Sequence, residues 1–433
     1  MSRVIFALGI LFFISCSKRD SPLIDSPTPT TQIVTNPTVP SACPIVSISE
    51  INKKTSHYKK YNVPFYDYFL NTNSDYNKLF FSRSFVDINK NSTPDLILSS
   101  VYWPGYKKGE LILVVDNKVE KIIDSFQIHS RKLLVADFNG DKQDDAFFLD
   151  QGLDVNPYPG GSNNLILLNG TSITNKSFPD IGIFHGGCAG DIDNDGDIDI
   201  FPLSNGRPEF LLINDGSANF TKKELFGGIA LNEYFHCEFY DLNKDGNLDL
   251  ILGGHEWKSS VSKNSQFGGI FENYVLWGDG KGNYSFNNSL KLPTINLWGT
   301  ITDFDFYDLD NDGTEEIIVT RTGGSDGSTM DNNGIKINNF YNFFKIQILK
   351  KSGTQYIEST VLDYPSGWPS SEWLDWVDVY DIDGDCILDI IPDDQELNFT
   401  RTSQYQPIND LKKFKNIYFK GDGKGGFTIA YKK

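Results

Sequence analysis

Six segments of the chain set oxygen-bearing side chains at every second position, a spacing that can hold a cation. With the first residue of each segment as position 1, positions 1, 3, 5 and 9 read Asp87, Asn89, Asn91 and Asp95 in loop 1, and Asp137, Asn139, Asp141 and Asp145 in loop 2. They read Asp191, Asp193, Asp195 and Asp199 in loop 3, and Asp241, Asn243, Asp245 and Asp249 in loop 4. Loop 5 has Asp308, Asp310, Asp312 and Glu316, and loop 6 has Asp381, Asp383, Asp385 and Asp389. Alternate side chains converge when the backbone curls, and a hard cation taking about six to eight oxygens at roughly 2.3 to 2.6 Å suits such a cage. Calcium fits it better than magnesium, which demands a tighter octahedron. Loops 3, 4 and 5 carry Gly196, Gly246 and Gly313 at position 6, where the curl needs a permissive residue. Ser92, Lys142 and Cys386 stand there in loops 1, 2 and 6.

A helix-loop-helix calcium site would need a bidentate Glu at position 12. Leu98, Phe148, Pro202, Leu252, Val319 and Pro392 stand there instead, and none can ligate through its side chain. The acid at position 9 runs straight into β-rich segments such as DLILGG and EIIVTR. Each loop is therefore expected to join two strands. Positions 1, 3, 5 and 9 take 20 of the 57 acids. Three or four carboxylates in contact without a cation would raise one another's pKa and destabilise the fold, so structural calcium is the expected occupant.

The elements that position these loops recur with them: an apolar strand, the aspartate loop, a second apolar strand, a variable stretch and a hairpin. Loop starts are 50, 54, 50, 67 and 73 residues apart. Hairpins are expected at 209 to 221, 273 to 286 and 416 to 429, where Asn-Asp-Gly and Gly-Asp-Gly suit tight turns. Four strands per unit at this period predicts an all-β propeller of six visible four-stranded blades, seven being possible, with the calcium loops between first and second strands. Gly at 38, aromatics at 14 % and only two Met agree with many short strands. Over residues 79–433 the chain resembles the FG-GAP or VCBS repeats of integrin-α-type propellers and of many bacterial exported proteins. Six copies in phase carry that resemblance.

The first residues, MSRVIFALGILFFISCSKRD, hold one Arg, an apolar run from Val4 to Ile14, and Ser15-Cys16. The run is too short for a permanent membrane span and fits a signal-peptide core. A Cys directly behind it resembles a bacterial lipoprotein signal, which implies cleavage after residue 15, lipidation of Cys16 and an outer-membrane location, periplasmic or surface-exposed. Residues 17 to 44 hold six Pro among many Ser and Thr, so 16–44 reads as a lipidated Cys and tether. Residues 45–78 read as an N-terminal cap or partial blade. Cys43, Cys188, Cys237 and Cys386 allow three disulfide connectivities. Cys188 and Cys237 lie three and four residues before their loops, which puts them on opposite strand faces and leaves a buried free thiol open beside a bridge.

The formal net charge of -18, with no Lys/Arg cluster, argues against a nucleic-acid partner. If every aspartate loop joins first and second strands, the opposite face collects what precedes the first strand and follows the second. His129, Arg131, His185, His236, Trp298, Glu372 and Trp373 fall in the former group. Tyr102, Trp103, Arg207, Glu209, His255, Glu256, Trp257, Arg321, Asp393 and Asp394 fall in the latter. Trp103, Arg207, His255, Glu256, Trp257, Arg321 and Trp373 are the candidate contacts for a glycan or protein ligand. Four His on one face also raise the idea of a second metal site, although no His-x-x-x-His spacing supports it. No phosphate loop or zinc-protease helix is present. The expectation is an envelope-anchored binding or adhesion module. The alternative is a polysaccharide lyase or hydrolase using His255, Glu256 or Arg321, and a purely structural role in an envelope complex is a third reading.

Overall fold

A computed structural model describes residues 78–91, 95–102, 107–116, 118–153, 159–205, 207–231, 234–254, 272–295, 299–322, 344–363, 374, 377–392 and 417–431. All of them belong to the unit Pro44–Lys433. The signal segment, Cys16, Cys43, the tether and nearly all of the expected cap lie outside the described residues. Among those described, no helix is long and apolar enough to cross a membrane.

The structure is all-β. Sheet 1 is β1 (Lys78–Val86), β2 (Asp95–Tyr102), β3 (Lys107–Val115) and β4 (Lys118–Asp124). Sheet 2 is β5 (Ser130–Ala136), β6 (Asp145–Asp150), β7 (Gly161–Asn169) and β8 (Ser172–Phe184). Sheet 3 is β9 (Cys188–Gly190), β10 (Asp199–Phe201), β12 (Phe210–Asn214) and β13 (Phe220–Glu224). Its two-residue β11 (Ser204–Asn205) pairs instead with β8 and adds a fifth strand to sheet 2. Sheet 4 is β14 (Tyr234–Tyr240), β15 (Asp249–Gly254), β16 (Asn273–Leu276) and β17 (Ser289–Leu292). Sheet 5 is β18 (Thr300–Tyr307), β19 (Glu316–Thr322), β20 (Phe344–Ser352) and β21 (Gln355–Asp363). Sheet 6 is β22 (Val377–Tyr380), β23 (Asp389–Pro392), β24 (Ile417–Gly421) and β25 (Phe427–Tyr431). Apart from the added β11, each is an antiparallel meander of four strands in chain order, and the six together form a propeller-like array.

Burial explains the strand sequences. The second strands β6, β15 and β19 are buried along their whole length and each holds an apolar stretch behind its leading acid (AFFL, LIL and IIV), whereas the fourth strand β4 alternates exposed and half-buried residues. The cores lie between sheets. Leu111, Leu113 and Val115 meet Leu133, Phe148 and Ile166 between sheets 1 and 2. Equivalent clusters fill the spaces between sheets 2 and 3, 3 and 4, 4 and 5, and 5 and 6. First strands touch in succession, β1 against β5, β5 against β9, β9 against β14, and β14 against β18.

Polar latches repeat the same step from sheet to sheet. A fourth-strand lysine donates to a carbonyl in the following sheet's last turn: Lys121 to Thr171 at 2.9 Å, Lys176 to Ala218 at 2.9 Å and Lys223 to Lys281 at 2.7 Å.

One hairpin differs from expectation. The Gly-Asp-Gly turn of sheet 4 is not a tight two-strand connection, because β17 begins only at Ser289. Residues 277–288 are held down instead. Tyr284 is buried, stacks on Phe239 at 5.8 Å and donates its hydroxyl to the Leu248 carbonyl. Gly282 N–H reaches the Ile192 carbonyl at 3.0 Å. Cys188 and Cys237 are free and buried, and Cys386 is disulfide-bonded.

Candidate functional site

Every aspartate loop spans the eight residues between the first and second strand of its sheet. The first Asp is the hub of the curl. In loop 3, Asp191 Oδ1 accepts the Asp195 N–H at 3.1 Å and Oδ2 accepts the Gly196 N–H at 3.0 Å. Asp241, Asp308 and Asp381 do the same in loops 4, 5 and 6. Position 5 then takes the next amide: Asp197 N–H to Asp195 Oδ1 at 3.0 Å and Thr314 N–H to Asp312 Oδ1 at 2.8 Å.

The curl needs left-handed backbone at positions 4 and 6. Loops 3, 4 and 5 put Asn194, Lys244 and Asn311 at position 4 and Gly at position 6. Loops 2 and 6 move the glycine to position 4, as Gly140 and Gly384, and hold Lys142 (φ 66) and Cys386 (φ 69) in the left-handed region. The missing position-6 glycine of these loops is therefore compensated two residues earlier.

Position 9 is the first residue of each second strand, and in all six loops it is buried. One of its oxygens accepts the position-2 N–H in every loop, for example Ile88 to Asp95 at 2.9 Å and Leu309 to Glu316 at 2.8 Å. In five loops the other oxygen accepts an N–H near the end of the third strand: Asp116 to Asp95, Leu168 to Asp145, Asn214 to Asp199, Gly278 to Asp249 and Gly421 to Asp389. The residue thus braces the loop against the sheet. Glu316, one methylene longer, leaves Oε1 buried with no hydrogen-bond partner. Burial pushes Asp145, Asp199 and Glu316 up to about 7 and Asp249 up to about 6, against the opposing pull of the backbone N–H groups.

Three loops bring acid oxygens within 4.8 Å of one another: Asp191, Asp193 and Asp199; Asp308, Asp310 and Glu316; and Asp381, Asp383 and Asp385. Asp193 Oδ1 and Asp310 Oδ1 are buried without a hydrogen-bond partner. An unpartnered buried carboxylate oxygen beside two more acids is the environment a hard cation completes, so these residues fit calcium. Loop 4 closes on itself by other means, with Asn243 at position 3 donating to Asp245 Oδ2 at 2.9 Å and Asn247 to Oδ1.

Residues 191–252, from the first Asp of loop 3 through loop 4 into β15, match the family model of the FG-GAP-like repeat. The chain carries an FG-GAP-like repeat. Comparison with curated proteins returned no match. The FG-GAP-like segment contains two aspartate loops and the whole of sheet 3's second to fourth strands, so the matched unit is the repeating step of the fold.

Of the expected ligand contacts, Trp103, His255, Glu256, Trp257 and Trp373 lie outside the described residues, as do Trp298, Glu372, Asp393 and Asp394. Arg207 is exposed between β11 and β12. Arg321 departs from expectation. It is fully buried in β19, and Nε and Nη2 donate to Gln347 Oε1 at 3.1 and 2.6 Å, while Gln347 donates onward to Glu358 at 2.7 Å. Glu209 is likewise buried, accepting the Ser204 and Leu231 N–H groups.

Among the described residues the histidines do not assemble into one site; His255 lies outside them. His129 is buried beside β5, His185 stacks on Phe235 at 4.6 Å, and His236 lies within β14 and not before it. His236 joins a charged cluster that the sequence reading passed over. Lys132 of β5 sends Nζ to within 3.1 Å of Glu238 Oε1, and His236 Nε2 lies 3.3 Å from Glu238 Oε1 and 3.5 Å from Asp303 Oδ1. All four residues are buried on first strands of sheets 2, 4 and 5. Their signal was present as charged residues at alternate positions of otherwise apolar strands, in YFHCEFY and TITDFDFY. The Lys132 ammonium is this cluster's own cation.

Proposed function

We propose that this chain is a calcium-binding FG-GAP-type module of the cell envelope that recognises a glycan or protein ligand, with its repeats closed into a propeller. The observation that carries the calcium part is the loop 3 triad of Asp191, Asp193 and Asp199, with the buried Asp193 Oδ1 lacking a hydrogen-bond donor. Asp191, Asp193, Asp195 and Asp199 would hold the ion there, and their counterparts would do so in the other loops. Bound calcium supplies the positive charge that lets such clustered carboxylates stay ionised.

Ring closure is supported by the outward face of sheet 1, where Leu96, Leu98, Ile112 and Val114 are buried on the side away from sheet 2. Binding is favoured over catalysis because Arg321, the one described residue of the alternative's catalytic set, is buried against Gln347, and Lys132, His236, Glu238 and Asp303 are buried and engaged with one another. The ligand surface is assigned to the connections opposite the calcium loops, where Arg207 is exposed and where Trp103, Trp257 and Trp373 fall in sequence. Attachment through a lipidated Cys16 at the outer membrane completes the reading.

The test is calorimetric titration of calcium into chelator-treated protein, followed by a glycan array read with product analysis. Heat from several sites and retention of an unaltered glycan support the proposal. Absence of calcium binding, or release of a cleaved product, would overturn the corresponding half.

A further inference from the structure

We infer that Lys350 and Lys420 are tethered counter-ions that weaken calcium binding at loops 5 and 6 and leave loop 3 as the tight site. The inference rests on the calcium reading above and assigns a rank order among its sites.

In every sheet one third-strand residue stands across from the position-9 acid. The pairing registers put Val115, Leu167, Ile213 and Trp277 there in sheets 1 to 4. These four side chains pack into the clusters between sheets. In sheets 5 and 6 the same registers put Lys350 across from Glu316 and Lys420 across from Asp389. An apolar position has become cationic in both, next to an acid cage.

Both ammonium groups enter the cage. Lys350 Nζ bonds Asp310 Oδ2 and lies 2.9 Å from Asp312 Oδ2, which are positions 3 and 5 of loop 5. Lys420 Nζ bonds Asp383 Oδ2 and lies 2.6 Å from Asp385 Oδ2, positions 3 and 5 of loop 6. Tyr418 adds its hydroxyl to Asp383 Oδ2 at 3.1 Å. Among the described residues no ion pair reaches Asp191, Asp193 or Asp195 of loop 3, whose opposite residue is Ile213.

A divalent ion entering loop 5 or 6 must displace an ammonium already bonded to two of its ligands, and the displaced charge stays tethered nearby and repels it. Loop 5 keeps Asp310 Oδ1 and Glu316 Oε1 unpartnered despite the lysine, whereas loop 6 has no such oxygen among those described. The order of affinity is therefore loop 3, then loop 5, then loop 6.

The experiment is a competition titration of the full chain with calcium against a chelator dye, comparing the parent with Lys350→Leu and Lys420→Leu. Leucine is chosen because Leu167 occupies this position in sheet 2; Lys350→Gln and Lys420→Gln serve if leucine impairs folding. The parent should show one tighter and one weaker class of sites. Each variant should tighten one weak site by about tenfold, a difference of roughly 1.4 kcal/mol. Each should also melt lower than the parent in chelator, because its cage has lost a counter-ion, and recover in calcium. Binding gained only in the variants would also support the inference. Equal affinities at all sites, unchanged by either substitution, would overturn it and leave the calcium reading standing. No binding in parent or variants would overturn both.

Discussion

Cys188 and Cys237 face each other between sheets 3 and 4 with their sulfurs 2.7 Å apart, both fully buried. Burial, followed by the hydrogen bond to its neighbour, pushes the Cys188 thiol well above the ordinary range. A thiol that is neither ionised nor reachable is a poor nucleophile. The reduced, folded protein should leave both cysteines unlabelled by a maleimide, while the denatured protein labels both. Folding in a buffer containing a small-molecule disulfide should join the pair by thiol–disulfide exchange, read by intact mass as the loss of two hydrogens. Native labelling of either cysteine would contradict the packing.

Calcium binding to the folded state alone stabilises it by mass action, about 2.7 kcal/mol for a site at a hundredfold excess over its Kd. Chelation should lower the melting temperature by several degrees, and calcium should restore it better than magnesium. Asp193→Ala should reduce that calcium-dependent gain more than Asn91→Ala, because Asp193 belongs to a convergent acid triad and loop 1 has none among the described residues. An identical melting curve with and without chelator would remove calcium from the account.

The position-9 acids should matter even without metal. Asp199 accepts the Ile192 N–H at 3.3 Å and the Asn214 N–H at 2.8 Å. Asp199→Ala leaves two buried donors unsatisfied, at about 1 to 3 kcal/mol each. Asp199→Asn keeps one acceptor and should lose less. Asp195→Ala, in the exposed part of loop 3, should cost under about 1 kcal/mol in chelator. Denaturant unfolding of the three variants checks the order, and equal losses would refute the bracing role.

His236 should report in the acid limb of stability. Burial, and then the nearby Lys132 ammonium, hold its pKa down to about 4, while Glu238 beside it and Asp303 of β18 pull the other way. The unfolded chain protonates this ring near 6.5, whereas the folded one does not, so the stabilisation is present above 6.5 and lost as pH falls toward 4. The difference corresponds to about 3 kcal/mol. His236→Gln should flatten the stability profile between pH 6.5 and 4 by an amount of that order. A variant profile parallel to the parent's would mean that the ring protonates in place.

Much of this molecule is local and was therefore legible in the residues. Position 9 opens a second strand in every loop, Asp87 to Asp95 and Asp381 to Asp389 alike, because the turn hydrogen bonds run between residues a few places apart. The repeat period and the hairpin turns follow from the same short-range rules, except in sheet 4, where Tyr284 and Gly282 dock on distant residues. Side-chain parity was also legible: Cys188 and Cys237 fall on opposite strand faces, and opposite faces of successive first strands are the ones that meet. What the sequence could not carry was which sheet lies against which side chain. Arg321 reads as a loop-facing cation but ends buried on Gln347, and Lys132, His236 and Asp303 meet although they are far apart in the chain. Lys350 and Lys420 belong to no motif in the sequence, and only the strand register sets them across from Glu316 and Asp389. Register and sheet-to-sheet packing are non-local, settled by burying one strand face against the next sheet, and only the tertiary structure decides them.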